Sequence, residues 1–382
     1  MPVREIRDII STVNFSVLQV GKYYYPYRGG METYLLDLCQ GIKARADLKV
    51  LVANTSRRTV REMVDGVEVV RAGNWGRIFS TPLCPSFPRL LRENAADIIT
   101  IHHPNPLATL SYLKASPAGR MTVVYHSDIV KQKLTELLYR PLLLKFLDRA
   151  EKISVTSPHY IEGSPILLRY REKCVVIPIG IDLSLFEETE EIAARAREFR
   201  RIHGERTVLF IGRMTLYKGI EYLVKAMETV DGKLLVVGSG ERFDALKMMV
   251  ISHGLEDRVA LMSSVSRTDL LAYLRACSVF CLPSISRNEA FGIVQLEAMA
   301  SARPVVSSRL DTGITYSNLD GVTGLVVPPR DPGSLARALN RILDDPALGE
   351  EMGRRGRKRV EEEFTKEKMA ERTYLMYREM VG

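Results

Sequence analysis

Two glutamates with a short apolar segment between them are the first residues in this sequence that could do chemistry. The stretch EAFGIVQLE places Glu289 and Glu297 eight positions apart. In one continuous α-helix, eight residues advance about 12 Å and turn about 80° beyond two full turns. The paired carboxyl groups of glycosidases lie only about 5 to 9.5 Å apart. The spacing therefore disfavours a catalytic acid/base couple.

The residues between the two glutamates favour a phosphate site instead. PSISRNEAFG has the turn residues of a loop, whereas IVQLEAMAS is typical of a helix, so we expect a helix to begin close to Phe291 and Gly292. The first N–H groups of a helix lack intrahelical partners and attract anions, and a glycine lets an anion approach the backbone. The pattern suits an elongated ligand with a central phosphate, such as a nucleotide sugar. The alternative is two ordinary surface glutamates.

A basic pair follows a predicted strand in LFIGRMTLYKG. Arg213 comes just after Gly212, and Lys218 lies five positions later, at the start of the next helix. An arginine fork and a lysine point charge can hold a diphosphate without a metal ion. The sequence contains no Asp-x-Asp pair that would hold such an ion. We therefore expect no metal and no cofactor besides the nucleotide-sugar substrate; a solvated basic loop is the alternative.

The first half of the chain contains a second set of candidates. VGKYYYPYRGGMETY ends in Gly29 and Gly30 just before a helix expected to start near Met31, and paired glycines permit close contact with a phosphate. His126 ends the strand in VVYHSDIV, where a ligand contact competes with a structural role. Further candidates line the acceptor side: Tyr25, His102 and Asp128 are predicted there, and His103 and His159 lie at comparable strand exits.

Two parallel sheets are needed to position these residues. Short apolar, β-branched runs alternate with amphipathic segments, which indicates parallel sheets covered on both faces. The first series is FSVLQVG, LKVLVAN, VEVVRAG, DIITIHH, MTVVYHS, KISVTS and CVVIPIG; the second, after a helical spacer at 188–203, is RTVLFIG, KLLVVGS, VALMSS, SVFCLPS, PVVSSR and GLVVPP. A chain of 382 residues exceeds one ordinary core. We predict an α/β fold with two Rossmann-like, doubly wound domains at 1–182 and 183–363 facing a central cleft, and a helix at 364–382 that packs back on the first domain.

Composition and charge restrict the partners. A net charge of +8 indicates an anionic partner. The five scattered cysteines form no C-x-x-C pair and suggest reduced thiols of a cytoplasmic protein. No segment is long and apolar enough to span a membrane, but 130–152 mixes Leu and Phe with Lys and Arg and is compatible with a helix on an anionic membrane. A crossover helix packed on its sheet is the alternative. Nucleic acid is not expected, because the sequence lacks an aromatic stacking platform and a concentrated basic helix; RRGRKR at 354–359 is the exception and is typical of a solvated helix face.

Together, the motifs resemble the retaining glycosyltransferases of family 4, which have the two-domain GT-B fold. The resemblance rests on Gly29-Gly30-x-Glu32, on His126, on GR followed by Lys218, and on Glu-x7-Glu ending in EAMAS, in the order of the family and over nearly the whole chain. Family members generally need no metal ion. Retention without a clear nucleophile implies attack from the face that the leaving group departs from.

The resemblance also implies a role for each matching residue. Glu289 would hold the donor sugar, Glu297 the ribose, and Arg213 with Lys218 the diphosphate. Gly30 would approach the diphosphate from the other domain, and His126 would touch the transferred sugar. The rest of the implied donor site consists of Gly29, Gly212, Ala290, Phe291, Gly292, Ile293 and Val265, the last in a loop at 263–267 that borders the base.

Within the family, YHSDIVKQK, VTSPHY and VIPIGID look most like the mannosyltransferases of bacterial O-antigen and exopolysaccharide assembly, which use GDP-mannose. The resemblance thus implies transfer of mannose to a saccharide or lipid-linked saccharide, in the cytoplasm or at the inner face of the membrane. A UDP-sugar donor stays open, as do a sugar-nucleotide epimerase of the same fold and a non-catalytic binder.

Overall fold

A computed structural model describes residues 15–27, 29–78, 81–128 and 133–382, and of residues 133–138 the backbone alone. The chain divides into two compact units. The first unit runs to Thr156 and includes Ser164–Ile177 and Lys366–Gly382, and the second comprises Ser157–Gly163 and Pro178–Thr365. The division after Ile177 falls five residues before the predicted boundary at 182, because Ile181 N–H donates to Phe364 of the second unit. The short segment Ser157–Gly163 was not predicted to belong to the second unit.

The strands, in chain order, have the following bounds. They are β1 (Ser16–Val20), β2 (Asp47–Ala53), β3 (Val60–Val64), β4 (Val67–Ala72), β5 (Arg77–Ile78), β6 (Thr81–Pro82), β7 (Ile98–His103), β8 (Arg120–Tyr125), β9 (Lys152–Val155), β10 (Cys174–Val176), β11 (Thr207–Ile211), β12 (Lys233–Val237), β13 (Val259–Met262), β14 (Val279–Leu282), β15 (Val305–Ser308) and β16 (Gly324–Val327). Every strand candidate of the sequence is confirmed.

The helices follow in the same order. They are α1 (Gly30–Ile42), α2 (Phe87–Glu93), α3 (Pro106–Ala115), α4 (Lys133–Arg149), α5 (Pro158–Glu162), α6 (Pro165–Arg169), α7 (Glu190–His203), α8 (Ile220–Ala226), α9 (Phe243–Ser252), α10 (Arg267–Ala276), α11 (Ile293–Ala300), α12 (Gly313–Ser317), α13 (Pro332–Asp344), α14 (Pro346–Glu363) and α15 (Lys366–Val381). Single 3-10 turns lie at Arg171–Lys173, Leu183–Phe186 and Leu216–Lys218.

The first unit is built on an eight-stranded sheet with the order β10-β9-β8-β7-β1-β2-β4-β3. Its strand pairs are parallel except β3 with β4, which is antiparallel. The sequence did not predict β3, because VREMV is exposed along four of its five positions and lacks the apolar run of a buried strand. The strand order reverses between β1 and β7, so ligands are expected beyond the carboxyl ends of those two strands.

The second unit has a six-stranded, wholly parallel sheet with the order β13-β12-β11-β14-β15-β16. The alternating strands and helices explain this topology, because parallel neighbours need crossover connections. Here the order reverses between β11 and β14. The loop after β11 contains Arg213 and Lys218, and the loop after β14 contains Glu289. Both loops therefore leave the sheet at its expected ligand edge.

The last helix, α15, belongs to the first unit and contacts α1. Its apolar residues Met369, Tyr374, Met376, Tyr377 and Met380 are all buried. Tyr374 stacks on Phe15 with ring centroids 5.8 Å apart. The terminal segment thus contributes to the core of the first unit instead of forming a tail.

The helix α4 covers most of the segment considered for membrane contact. Its apolar residues Leu143, Phe146 and Leu147 are buried, whereas Leu144 is half-buried and Leu142 is exposed. Phe146 packs edge-on against Tyr112 of α3 at 6.0 Å. This supports the alternative of a crossover helix packed on its sheet. Residues 130–132 of that segment lie outside the described part of the chain. Within the described part, no helix has the length and apolarity needed to cross a membrane.

Candidate active site

Lys218 and Glu289 form a nearly buried ion pair at the ligand edge of the second sheet. The Glu289 carboxylate also accepts a hydrogen bond from Ser284 Oγ at 3.2 Å. Backbone hydrogen bonding joins the two loops directly, because Ile285 N–H donates to the carbonyl oxygen of Tyr217 at 2.8 Å. A residue predicted for the diphosphate and a residue predicted for the sugar therefore meet at one point.

Two glycines permit this close approach of the loops. Gly219 follows Lys218 at φ +65°, and an added Cβ would lie 2.3 Å from the carbonyl oxygen of Pro283. Gly292 caps α11 at φ +72°, and an added Cβ there would lie 2.7 Å from Leu282 Cδ2. Both conformations are strained for residues with side chains. The helix α11 begins at Ile293, as predicted, so its first N–H groups and those of the loop at 290–292 lie beside Glu289.

Arg213 projects from the same edge, where it is exposed. Its guanidinium donates a hydrogen bond to the Tyr217 hydroxyl at 3.2 Å. The remaining N–H donors of its fork can serve an anion, since a guanidinium carries five donors. The sequence did not single out Tyr217, which holds the arginine and also lies under the Lys218 ammonium at 5.7 Å.

Glu297 lies one to two helical turns beyond the ion pair, half-buried in α11. Burial raises the pKa of its carboxyl group, and the positive charge of Arg267 partly opposes that shift. A carboxylate that has lost water in this way favours a ligand that supplies hydroxyl donors. Val265 is half-buried in the loop between β13 and α10.

His126 of the first unit is one end of a buried series of hydrogen bonds. Its Nε2 lies 3.0 Å from His102 Nδ1, and His102 Nε2 lies 3.0 Å from Gln19 Oε1. Gln19 Nε2 donates to the Tyr377 hydroxyl at 2.9 Å, which is 2.7 Å from Thr100 Oγ1. The chain of contacts runs from the end of β8, through β7 and β1, to α15.

Burial keeps His126 and His102, the two histidines of this hydrogen-bonded series, neutral. Burial lowers the pKa of His126 to about 4. Burial also holds the pKa of His102 well below its usual value, with the proximity of His126 adding to the effect. The Tyr34 ring stands edge-on to His126 with centroids 4.8 Å apart.

The sequence prediction for His102 needs correction. We placed it on the acceptor side, but it is 2% exposed and both ring nitrogens face partners within the protein. The reason is alternation along β7, which turns Thr100 and His102 to the face that Gln19 shares. Gln19 was missed, although a glutamine within the apolar run SVLQV is a signal of a buried polar contact.

The paired glycines differ in their surroundings. Gly29 precedes α1, and the Glu32 side chain occupies the space beside it, because Glu32 Oε2 would lie 2.3 Å from a Cβ added to Gly29. Gly30 begins α1 and has open space where a side chain would be. Burial raises the pKa of Glu32 and lowers that of Lys22, which is close enough for the two charges to attract. Open space at Gly30 is compatible with a ligand approaching its backbone.

The remaining acceptor-side candidates are distributed over different environments. Tyr25 is exposed, at 45%. Asp128 accepts hydrogen bonds at Oδ1 from the Tyr125 hydroxyl at 2.8 Å and from Ser164 Oγ at 3.0 Å, so it ties β8 to α6. His103 is fully buried and stacks on Tyr125. His159 belongs to α5 of the second unit.

No metal site is evident in the part of the chain that the structure describes: no group of three or more His, Cys, Asp or Glu side chains is arranged to hold an ion. Absence of a metal requirement stays a prediction. The five cysteines are free thiols, and all but Cys174 are buried.

Comparison with known proteins places this geometry in a family. The family model described as Glycosyltransferase Family 4 matches residues 28–185, and the one described as Glycosyl transferases group 1 matches residues 193–359. The chain is 32% identical over 365 residues to the O-antigen chain mannosyltransferase C of Escherichia coli, with 94% of this chain and 97% of that protein covered. The chain belongs to glycosyltransferase family 4. It is also 33% identical over 340 residues to a D-rhamnosyltransferase of Pseudomonas aeruginosa, covering 88% of each.

Solved structures show that this family 4 glycosyltransferase has the GT-B fold. Sucrose-phosphate synthase from Thermosynechococcus elongatus superimposes with a TM-score of 0.78 at 25% identity, over 96% of this chain and 98% of that one. Anabaena HepE in complex with UDP gives a TM-score of 0.75 at 18% identity, over 95% and 100% of the two chains. The predicted fold and the predicted resemblance to O-antigen mannosyltransferases are therefore confirmed.

Four of the five basic residues at 354–359 of this family 4 enzyme form ion pairs with glutamates of the same helix. On α14, Arg354 and Arg355 pair with Glu351, and Arg357 pairs with Glu361. Lys358 approaches Glu362 at 3.8 Å. These pairs along the helix agree with the solvated face expected from the sequence.

Proposed function

We propose that this glycosyltransferase transfers mannose from GDP-mannose, with retention of configuration, to a saccharide or lipid-linked saccharide in the synthesis of cell-surface polysaccharide. One observation carries the proposal: the identity of 32% to an O-antigen mannosyltransferase extends over 97% of that protein. The second unit also holds Arg213, Lys218 and Glu289, the charged residues expected for a diphosphate and a sugar, in the loops after β11 and β14. Such an enzyme acts in the cytoplasm or at the inner face of the membrane.

The proposed reaction needs no nucleophile from the protein. The bond between the anomeric carbon and the leaving phosphate oxygen breaks while the acceptor oxygen bonds to the same face of that carbon. The acceptor's proton passes to the departing phosphate. Arg213, Lys218 and the first N–H groups of α11 stabilise the charge that develops on the diphosphate, and Glu289 orients the sugar hydroxyls.

Donor binding must rearrange the Lys218–Glu289 pair. In the free enzyme the ammonium and carboxylate satisfy each other, which avoids an unpaired charge at a nearly buried position. A bound donor supplies phosphate oxygens to Lys218 and hydroxyl donors to Glu289. The ion pair between Lys218 and Glu289 thus stabilises the empty site, and the same two side chains bind the donor when it enters.

A 6-deoxymannose donor is a second candidate, supported by the D-rhamnosyltransferase relative. D-Rhamnose differs from mannose by one missing hydroxyl group, and the two relatives are 33% and 32% identical to this chain. A UDP-sugar donor is a further alternative. The UDP-bound HepE shares only 18% identity, so its likeness concerns the fold alone.

A donor panel tests the proposal. Thermal unfolding with GDP-mannose, GDP-D-rhamnose, UDP-glucose and UDP-N-acetylglucosamine should show the largest rise in midpoint with GDP-mannose, since ligands of the native state stabilise it. Transfer to a saccharide acceptor should then give an α-linked product from the α-linked donor. Stabilisation by a UDP-sugar alone would overturn the donor assignment. Conversion of the donor to an epimer without acceptor would support the epimerase alternative instead.

Contact with an anionic membrane is part of the proposal, and an exposed surface of the first unit supports it. We call this the aromatic surface: Tyr25, Tyr27, Trp75, Ile78 and Leu83. Within the described residues, it contains every exposed Tyr, Trp or Phe side chain. Arg57 lies over the Trp75 ring at 5.5 Å, and Arg77 over Tyr23 at 5.6 Å. Aromatic rings with adjacent cations suit the interface of an anionic bilayer, where a lipid-linked acceptor would lie.

A further inference from the structure

The hydrogen-bonded chain behind His126 has a definite direction. Gln19 turns its carbonyl oxygen Oε1 to His102 Nε2 at 3.0 Å. A carbonyl oxygen can only accept, so His102 Nε2 carries a proton. A neutral imidazole with one nitrogen protonated presents a lone pair at the other. His102 Nδ1 therefore accepts, and the donor to it, 3.0 Å away, is the Nε2–H of His126.

The NH2 group of the Gln19 amide faces away from His102, toward α15. This group donates to the Tyr377 hydroxyl at 2.9 Å, and that hydroxyl lies 2.7 Å from Thr100 Oγ1. All of these groups are buried. Rotation of the amide would reverse the direction of every hydrogen bond up to His126. The orientation of the Gln19 amide thus sets which nitrogen of His126 carries the proton.

This tautomer decides what the second ring nitrogen of His126, Nδ1, can do. With Nε2 protonated, Nδ1 has a free lone pair and can only accept a hydrogen bond. No hydrogen bond to Nδ1 is present among the residues that the structure describes, and the side chain keeps 8% exposure. The group that His126 offers to a ligand is therefore an acceptor at a defined position.

We propose that Gln19 and His102 are positioning residues that hold His126 in its Nε2–H tautomer, so that Nδ1 accepts a hydrogen bond from a hydroxyl group of the transferred sugar. This inference rests on the proposed function, together with the contact between His126 and the transferred sugar that the resemblance to the family implies. The inference specifies the chemistry of that contact: His126 Nδ1 recognises a sugar hydroxyl group by accepting a hydrogen bond from its O–H. A deoxy sugar lacking that hydroxyl leaves Nδ1 without a partner.

The tautomer can be measured directly, independently of turnover. Long-range proton–nitrogen correlation spectra of the enzyme with isotope-labelled histidine should show His126 as the Nε2–H tautomer. The chain has six histidines, so the His126 signals are assigned by their loss in His126→Gln. Gln19→Leu removes the fixed acceptor and should convert the His126 signals to those of a tautomer mixture. An Nδ1–H tautomer in the wild type, or an unchanged tautomer in folded Gln19→Leu, overturns the proposal.

A matched control separates this effect from general loss of a buried polar contact. Thr122, on β8 in the same sheet, is buried beside Thr100, and its hydroxyl donates to the Lys152 carbonyl oxygen at 3.0 Å instead of joining the hydrogen bonds that lead to His126. Thr122→Val should leave the His126 tautomer unchanged. A change in Thr122→Val equal to that in Gln19→Leu would show that the tautomer responds to any perturbation of the sheet, and would overturn the specific role of Gln19.

Kinetics with a series of monodeoxy donors test the contact with the sugar. Gln19→Leu should lower kcat/KM about three- to tenfold with the complete donor, the range for one neutral hydrogen bond. The ratio of wild type to variant should fall to about one with the donor that lacks the partner hydroxyl. An equal ratio across the whole series would overturn the proposed contact. Failure of the wild type to use any of these sugars would instead refute the proposed function, while the tautomer measurement still stands.

Discussion

At the scale of single residues, Lys218 and Glu289 are expected to have separable roles in stability and turnover. Lys218→Ala removes a preorganised cation and should raise the barrier by on the order of 3 kcal/mol, a loss of about a hundredfold or more in kcat. It also leaves Glu289 nearly buried and unpaired, which lowers the unfolding midpoint. Adding Glu289→Gln should recover much of that midpoint but no activity.

The control for this experiment is Lys225→Ala, which removes an exposed cation of α8. It should change neither the midpoint nor the rate. Near-full turnover by folded Lys218→Ala would refute the assignment of Lys218 to the diphosphate. Recovery of activity in the double variant would show that Lys218 acts only as a structural partner of Glu289.

Buried histidines give a second prediction at this scale, for the dependence of stability on pH. Burial lowers the pKa of His103 to about 3 and of His126 to about 4, and it lowers that of His102 as well. Histidines of the unfolded chain titrate near pH 6.5 and then bind protons that the native state does not. The free energy of unfolding should therefore decrease as the pH falls from about 6.5 toward 4, by up to about 1.4 kcal/mol per pH unit and histidine.

Urea unfolding at successive pH values measures this slope. His103→Phe keeps an aromatic ring on Tyr125 and should remove the contribution of one histidine, which separates it from carboxyl groups such as Glu297 whose raised pKa acts in the opposite direction. Equal slopes for wild type and His103→Phe between about pH 6.5 and 5 would contradict the low pKa of His103.

The sequence was sufficient to recognise some of these site residues but not to predict their contacts, which depend on strand order and register. Lys218 and Glu289 were recognised because each follows an apolar strand, but their pairing depends on β11 lying beside β14, which no local pattern specifies. His102 was placed at an open surface because adjacent histidines at a strand exit look equivalent. Only the register of β7 with β1 shows that His102 turns inward toward Gln19.

At the scale of elements, the start of α11 is expected to depend on Gly292. Gly292→Ala should destabilise the native state in two ways. An alanine in the left-handed conformation costs about 1 to 2 kcal/mol, and its Cβ would contact Leu282 so closely that one of the two groups must move. Gly321→Ala is a matched control, because Gly321 has the same φ of +72° and nothing within 4 Å. Only Gly292→Ala should raise KM for the donor. Equal KM values in the two variants would contradict a phosphate site at this helix start.

Elements were the most predictable level of the structure. Buried parallel strands such as β11 and β14 are continuous apolar runs, and the terminal helix α15 was predicted to pack back on the first domain, where it buries one face. The edge strand β3 is polar and exposed, so its assignment depends on antiparallel pairing with β4 and not on its own pattern. The segment Ser157–Gly163 likewise joins the second unit through partners distant in sequence: Arg287 packs over the Tyr160 ring at 4.9 Å.

At the scale of the whole molecule, the net charge of +8 and the aromatic surface predict reversible binding to anionic vesicles. Binding should weaken as salt is added, because screening shortens the reach of Arg57 and Arg77 toward lipid phosphates. Trp75→Ala should lower the bound fraction in a vesicle sedimentation assay with phosphatidylglycerol. Met248→Ala is the control, since Met248 of the second unit is 64% exposed and Trp75 is 63% exposed. Equal binding to neutral and anionic vesicles, or equal binding by the two variants, would contradict a membrane contact through this surface.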